Sequence, residues 1–183
     1  MALDAANVDV AVTGAVSYAE VSATPPSDAE TPLDPEYRDV GYLSEDGVVE
    51  TRDRSTNNII AWQGAQVVRS VISEASISVQ FTMIETNPNS IELFYGSPVD
   101  TSDGSVEIDP GQTGGKRSVV VDYVDGDKYV RLHLPQAEVT EIGETTIGST
   151  EAVGYDVTIV GYRDAELGYS AKKWFSALAT EGS

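Results

Sequence analysis

Alternation of apolar and polar residues over residues 75–83 constrains the fold of this chain more than any other feature of its sequence. Alternate positions of this run are apolar, namely Ala75, Ile77, Val79, Phe81 and Met83. The positions between them are uncharged and polar, namely Ser76, Ser78, Gln80 and Thr82. Successive side chains of a strand point to opposite faces, so a period of two predicts a strand with one buried face. We expect the polar face to line a wet interior, although an ordinary solvent-facing strand carries the same pattern.

Similar runs elsewhere predict a mainly β chain. Further strands are expected at residues 8–21, 40–43, 48–52, 59–62, 67–72, 106–108, 137–142 and 153–162. One short helix is also expected, because Asn87-Pro-Asn-Ser supplies a helix cap, an apolar run follows at residues 91–95, and Gly96 supplies a stop.

A tight hairpin is predicted at Asp125-Gly126, taken as the two central residues of the turn. Counting outward from this turn places four apolar residues together on the core face, namely Val119, Val121, Val130 and Leu132. Asp122 and Arg131 then lie diagonal to each other on the opposite face, within reach of an ion pair.

Two segments are predicted to lie outside the core. Residues 22–38 contain four prolines and four acidic residues, which predicts a long loop. At the other end, residues 165–183 carry Trp174 and Phe175 at helix-like spacing with Ala171 and Leu178. These aromatic side chains must be buried against their own domain or against a neighbour.

The charge and composition exclude several classes of function. The chain has 30 acidic and 11 basic residues and a net charge of −19, which repels phosphates and argues against sequence-specific nucleic-acid binding. Without cysteine there is no disulfide or thiolate chemistry. No signal peptide and no apolar run of membrane-spanning length is visible, so we expect no membrane insertion.

The sequence contains no complete motif for catalysis or cofactor binding. The segment Gly111-Gln-Thr-Gly-Gly-Lys-Arg-Ser lacks the phosphate-loop spacing, since Pro110 stands where glycine is needed and Arg117 where Ser or Thr is needed. His133 is the single histidine and is expected to be a packed or interface residue. Three aspartates suggest calcium, but a hairpin explains them better: Asp122, Asp125 and Asp127. We therefore expect no enzyme activity, no metal and no cofactor.

Four stretches, in order along nearly the whole chain, carry a resemblance to a known family. They are MALDAANVDVAVTGAVS at the start, GYLSEDGVVETRDRSTNNIIAWQG at residues 41–64, VEIDPGQTGGKRSVVVDYVDGDKYVR in the middle and GYSAKKWFSALAT at the end. Together they resemble the major tail proteins of long-tailed phages of actinobacteria, the subunits that stack into the tail tube.

The resemblance implies a single tail-tube domain over residues 1–183, with a β-sandwich or barrel core and one flanking helix. It implies hexameric rings in which strands of neighbouring subunits join into one inner barrel, stacked on a tape-measure protein. It also implies contact with tail terminator and distal tail proteins, passage of DNA without specific binding, and a location in the virion tail after assembly in the host cytoplasm.

On this interpretation, Ser76, Ser78, Gln80 and Thr82 face the lumen. Candidates for contact between subunits or rings come from the acidic loop, the block at residues 41–64 and the C-terminal tail, namely Pro25, Pro26, Pro32, Tyr37, Arg52, Arg54, Trp62, Trp174 and Phe175. The alternative is a monomeric β-sandwich module that binds a carbohydrate or a host surface. Such a module needs an exposed aromatic platform, whereas most tyrosines and tryptophans here lie inside strand patterns.

Overall fold

A computed structural model describes residues 3–179. Residues 1–2 and 180–183, which include the end of the predicted C-terminal contact tail, lie outside the described residues. The described part contains ten strands: β1 (Thr13–Glu20), β2 (Arg38–Asp39), β3 (Leu43–Ile60), β4 (Val67–Met83), β5 (Val99–Asp100), β6 (Ser105–Val106), β7 (Arg117–Asp125), β8 (Lys128–Ile142), β9 (Tyr155–Tyr162) and β10 (Lys172–Phe175). One α-helix, α1 (Pro88–Tyr95), and two single 3-10 turns, Ala5–Asn7 and Ser176–Leu178, complete it.

The main sheet is antiparallel and must curl into an open barrel. Its strand order is β2-β1-β7-β8-β9-β4-β3. β10 pairs with residues 130–133 of β8, within the part of that strand that β9 leaves unpaired. Laid flat, six strand spacings would separate β2 from β3 by roughly 29 Å. Only residues 40–42 join these two edge strands, and the link from Asp39 to Leu43 can reach at most about 14 Å. The sheet therefore curls until its two edge strands approach each other, as the expected sandwich or barrel class requires.

The core fills the inside of this curled sheet. Every long strand of the barrel contributes to it, with Val16, Val79, Val119, Leu134 and Val157 all essentially inaccessible to solvent. Leu93 and Phe94 of α1 close one end of the same cluster. The burial pattern of β4 confirms the predicted face for Val79, Phe81 and Met83, which are buried, whereas Ile77 is half-buried and Ala75 is exposed.

The helix forms where local signals predict it. The side chain of Asn87 accepts a hydrogen bond from the backbone of Ser90, and the Ser90 hydroxyl accepts one from the backbone of Asn87. This reciprocal pair is a capping box. Gly96 ends the helix with φ 69°, a left-handed conformation that favours glycine. A side chain there would also collide with the backbone of Gly114, so the glycine-rich loop before β7 packs directly on the helix end.

The β7–β8 hairpin has the predicted faces but a different register. The pairing of Asp125 with Lys128 makes Gly126 and Asp127 the central residues of the turn. Gly126 has φ 61°, which suits a turn whose first central residue needs a positive φ. The turn lies one residue further along the chain than predicted, so each residue of β7 pairs two positions later in β8 than predicted. The predicted register is therefore wrong, but a shift of two preserves which side chains share a face. Asp122 lies directly opposite Arg131 rather than diagonal to it.

A second layer covers the outer face of β7 and β8, and the sequence did not predict it. Ser118, Val120, Arg131 and His133 point away from the core, yet each is buried. The acidic loop and the segment after β9 lie over them. The C-terminal aromatics belong to a strand, β10, that pairs with β8, so the helix-like spacing noted there is misleading.

Candidate assembly surface

The most exposed part of the molecule is the outer portion of the β3–β4 hairpin, residues 51–76, called here the arm. Within it every residue is exposed except Ala61, which is half-buried. β4 pairs with β9 only from Ile77 onward, so the arm is a ribbon of two strands with no third strand beside it. Ten residues of extended chain from Ile77 to Val67 span roughly 34 Å.

The pairing register sorts the arm into two faces. The face that continues the core side of the sheet, called the core-side face, holds Arg52, Arg54, Thr56, Asn58, Ile60, Val67, Ser70, Ile72 and Ala75. The other, called the outer face, holds Thr51, Asp53, Ser55, Asn57, Ile59, Arg69, Val71, Glu74 and Ser76. A hydrogen bond from Ser70 to Asn58 fits their placement on one face.

The arm exposes large apolar side chains to solvent, which is unfavourable for a free subunit. On the core-side face, Ile60 is 59% exposed, Val67 57% and Ile72 52%, and Trp62 at the tip is 96% exposed. Several large apolar side chains exposed on one short ribbon suit contact with another protein.

The four candidate lumen residues share the outer face of β4. Ser76 and Gln80 are exposed, while Ser78 and Thr82 are half-buried. Asp156 of β9 joins them, because its carboxylate accepts hydrogen bonds from Gln80 Nε2 at 3.1 Å and Thr82 Oγ1 at 3.3 Å. Sequence reasoning missed Asp156, although Tyr155, Val157 and Ile159 alternate with it in the same way.

The candidate contact residues of the acidic loop differ in their exposure to solvent. Pro25 and Pro32 are exposed, and Pro26 is half-buried. Tyr37 is also half-buried, with its hydroxyl 2.7 Å from Ser118 Oγ in the same chain. Arg52, Arg54 and Trp62, by contrast, all lie on the arm.

The loop itself is anchored to the barrel. Arg131 Nη1 donates to the carbonyl oxygens of Asp28 and Thr31, at 3.1 and 2.6 Å. Ala23 and Ala29 of the loop are buried. Asp28 turns the loop on itself by accepting hydrogen bonds from the Thr31 hydroxyl and from the backbone amides of Thr31 and Glu30, and these bonds lower the pKa of its carboxyl. The loop therefore has a defined shape in a single subunit.

Trp174 and Phe175 pack partly within the subunit. Trp174 is half-buried and stacks on His133, with ring centroids 6.4 Å apart. Phe175 is 36% exposed and Leu178, three residues after β10, is 78% exposed. With Trp174 they line a groove of about 700 Å³ that also contains Asp28 and Glu30 of the acidic loop.

His133 is the centre of a buried polar chain. Its Nε2 lies 2.9 Å from Ser118 Oγ, and its Nδ1 lies 3.3 Å from the hydroxyl of Tyr169. Burial lowers the pKa of His133 to about 4, so the ring is neutral at pH 7. Since it has no access to solvent, it serves packing rather than proton transfer.

No group of three or more acidic or histidine side chains among residues 3–179 is arranged to hold a metal ion. In the same part of the chain, no helix has the length and apolar character needed to cross a membrane. The described residues thus define the class as a β protein whose curled sheet carries an exposed arm available for contact with another protein.

Comparison with known proteins agrees with this class. The family model described as "phage tail tube protein" matches residues 1–179. The chain therefore belongs to the phage tail tube protein family, which is structural and not enzymatic. No curated protein gives a significant sequence match.

Solved structures of similar shape include a chain in the virion of a native gene transfer agent particle, with 11% identity, a TM-score of 0.41 and coverage of 79% of this chain and 92% of that one. Another is a chain of an anti-feeding prophage baseplate, with 13% identity, a TM-score of 0.43 and coverage of 94% and 97%. A third is an Hcp protein, with 12% identity, a TM-score of 0.34 and coverage of 87% and 96%.

Proposed function

We propose that this chain is the tube subunit of a long-tailed phage and assembles into hexameric rings that stack into a hollow tube. The tube forms around a tape-measure protein, is bounded by tail terminator and distal tail proteins, and later conducts DNA. The arm is the single observation that carries this proposal, because it is the largest feature that the isolated subunit leaves without a partner.

The arm has unpaired strand edges as well as apolar side chains. β3 is the last strand of the sheet, so its outer edge is free over its 18 residues, and β4 has no partner besides β3 over residues 67–76. Free edges of this length would pair with other chains indiscriminately. Pairing the edge of one subunit with that of the next removes both edges in a closed ring.

The outer face of the arm and of β4 supplies a suitable channel wall. Ser76, Ser78, Gln80 and Thr82 carry no charge, and Asp53 and Glu74 add carboxylates beside them. Such a wall offers DNA phosphates few cations to bind, so DNA would slide past it. Nearer the tip, the outer face also carries Arg69, Ile59 and Val71. The apolar side chains of the core-side face are more exposed, and these are the ones that a neighbouring subunit must cover.

Electron microscopy of the purified full-length chain at high concentration, with and without the tape-measure protein, tests the proposal. We expect hollow tubes with six-fold rings. An Ile60→Asp/Ile72→Asp double variant should remain folded but fail to form tubes, because both changes place charge on the core-side face. The matched Ser55→Asp/Asn57→Asp variant changes the outer face and should still form tubes. A chain that stays monomeric under all these conditions is not a tube subunit and fits the alternative of a monomeric binding module.

A further inference from the structure

Basic side chains gather where the arm leaves the barrel. Arg52 and Arg54 line a groove of about 580 Å³ whose opposite wall includes Ser170 and Ala171. Lys172 and Lys173 follow directly in β10, so four of the 11 basic residues of the chain lie at or next to this groove. We call it the basic groove.

The charge of the basic groove is only partly neutralised by the subunit itself. Glu50 Oε2 forms an ion pair with Lys173 Nζ at 2.7 Å, and Glu50 Oε1 lies 3.8 Å from Arg52 Nε. The Arg52 side chain is nevertheless 79% exposed. Within residues 3–179, Arg54 forms no ion pair, and Asp53 is the acidic residue that lines the groove.

This local charge is opposite in sign to that of the rest of the molecule. Residues 51–76 contain three arginines and two acidic residues, a net charge of +1, which leaves −20 for the remainder of the chain. A long anionic polymer would be repelled by the remainder. A second copy of this chain instead brings carboxylates in a fixed and limited arrangement.

The acidic loop presents such carboxylates. Asp28 and Asp34 accept hydrogen bonds from backbone amides of the loop, so they maintain its shape. Glu30 and Glu36 remain exposed. Because Arg131 and Tyr37 hold the loop on the barrel, docking these two side chains would cost little ordering entropy.

We propose that the basic groove of one subunit receives Glu30 and Glu36 from the acidic loop of a second copy. Each chain then carries one groove and one loop, so each subunit can contact two different neighbours head-to-tail. Head-to-tail contacts generate rings or filaments. The proposal rests on the proposed function and names the charged contact through which neighbouring subunits recognise each other.

A charge-swap experiment tests it. One variant carries Arg52→Glu/Arg54→Glu, a second carries Glu30→Arg/Glu36→Arg, and a third carries all four changes. Sedimentation velocity and electron microscopy measure the polymerised fraction, and circular dichroism checks folding. We expect each double variant to lose polymer at least ten-fold and the four-fold variant to recover it. Arg163→Glu, at an exposed arginine that does not line the groove, is the control and should polymerise normally.

The outcomes separate this contact from the proposed function. If the unaltered chain never polymerises, both are overturned. If the unaltered chain polymerises and the arginine double variant does too, or the four-fold variant fails to recover, only the contact is overturned. Binding of a short DNA duplex that is lost in the arginine variant while polymerisation persists would identify the groove as a DNA site and overturn the contact as well.

Discussion

Arg131 holds the carboxylate of Asp122 directly across the β7–β8 hairpin, with Nε 2.7 Å from one oxygen and Nη2 2.9 Å from the other. The Arg131 side chain is 7% exposed and that of Asp122 is 29% exposed. The same guanidinium binds two carbonyl oxygens of the acidic loop. One side chain therefore links the hairpin to a segment about a hundred residues away.

Replacing Arg131 with methionine should destabilise the subunit and release the acidic loop. The change leaves Asp122 and two carbonyl oxygens without their partner, and we expect a loss of about 2–3 kcal/mol, below the cost for a fully buried pair because Asp122 is partly solvated. Chemical unfolding measures the loss, and limited proteolysis should show new cleavage within residues 22–36. Arg163→Met should change neither. An Arg131→Met protein with normal stability and an intact loop would show that Arg131 is not the anchor.

His133 should make the stability of the subunit depend on pH. Its folded pKa of about 4 lies below the ordinary value of 6.5, so the unfolded state takes up a proton first as the pH falls. The stability is complete above pH 6.5 and is lost as the pH falls towards 4, by about 2 kcal/mol between pH 7.5 and pH 5. In His133→Gln this component should vanish. The measurement is the free energy of unfolding of both proteins as a function of pH. Subtracting one profile from the other cancels the contribution of the carboxylates common to both. Parallel profiles would contradict a buried neutral imidazole.

Trp174 should contribute to the stability of the single subunit. From the sequence, deletion of the tail from residue 172 onward is expected to leave a folded subunit. The stacking of Trp174 on His133 and the pairing of β10 with β8 lead us to expect partial unfolding instead. Trp174→Ala should cost at least about 1 kcal/mol, since it uncovers the imidazole and removes half-buried apolar area. Leu178→Ala, at an exposed position, is the control. If Trp174→Ala has no effect on thermal unfolding yet prevents tube formation, the indole acts between subunits.

The two faces of β4 should respond differently to the same substitution. Ile77→Asp places a charge at a half-buried position against the core and should lower the free energy of unfolding by about 3 kcal/mol or more, a large part of the stability of a small domain. Ser78→Asp lies on the outer face and should cost less than about 1 kcal/mol, which reflects β-propensity. Circular dichroism and urea unfolding of both variants check this. Equal tolerance of the two would refute the assignment of faces, and with it the lumen candidates.

Local chemistry explains which elements could be predicted from the sequence. The helix depends on Asn87, Ser90 and Gly96, which are all within ten residues of one another, and its bounds follow from them. The buried face of β4 follows from strict alternation. The hairpin faces were correct because alternation survives a shift of two, but the register was wrong because Gly126 occupies the first central position of the turn.

The arm and the second layer could not be predicted in the same way. The sequence suggests two short strands at residues 48–52 and 59–62, because the polar residues between them resemble a loop. In the structure they are one strand, β3, and the partner strand β4 carries an extra residue at Ser73 and at Val68. Arg52, Arg54 and Trp62 were nevertheless candidates for contact, and all three lie on the arm. The polar chain through His133 joins Tyr37, Ser118 and Tyr169, which are far apart in sequence, so no local pattern reveals it.

The pairing of β1 with β7 has a consequence for the order of events during synthesis. Thr13 lies beside Val124 and Glu20 beside Arg117, so the first long strand leaves the ribosome about a hundred residues before its partner. β8 likewise lacks two of its partner strands until β9 and β10 have left the ribosome. Contacts of such long range slow folding, and the barrel cannot form until β9 has left the ribosome.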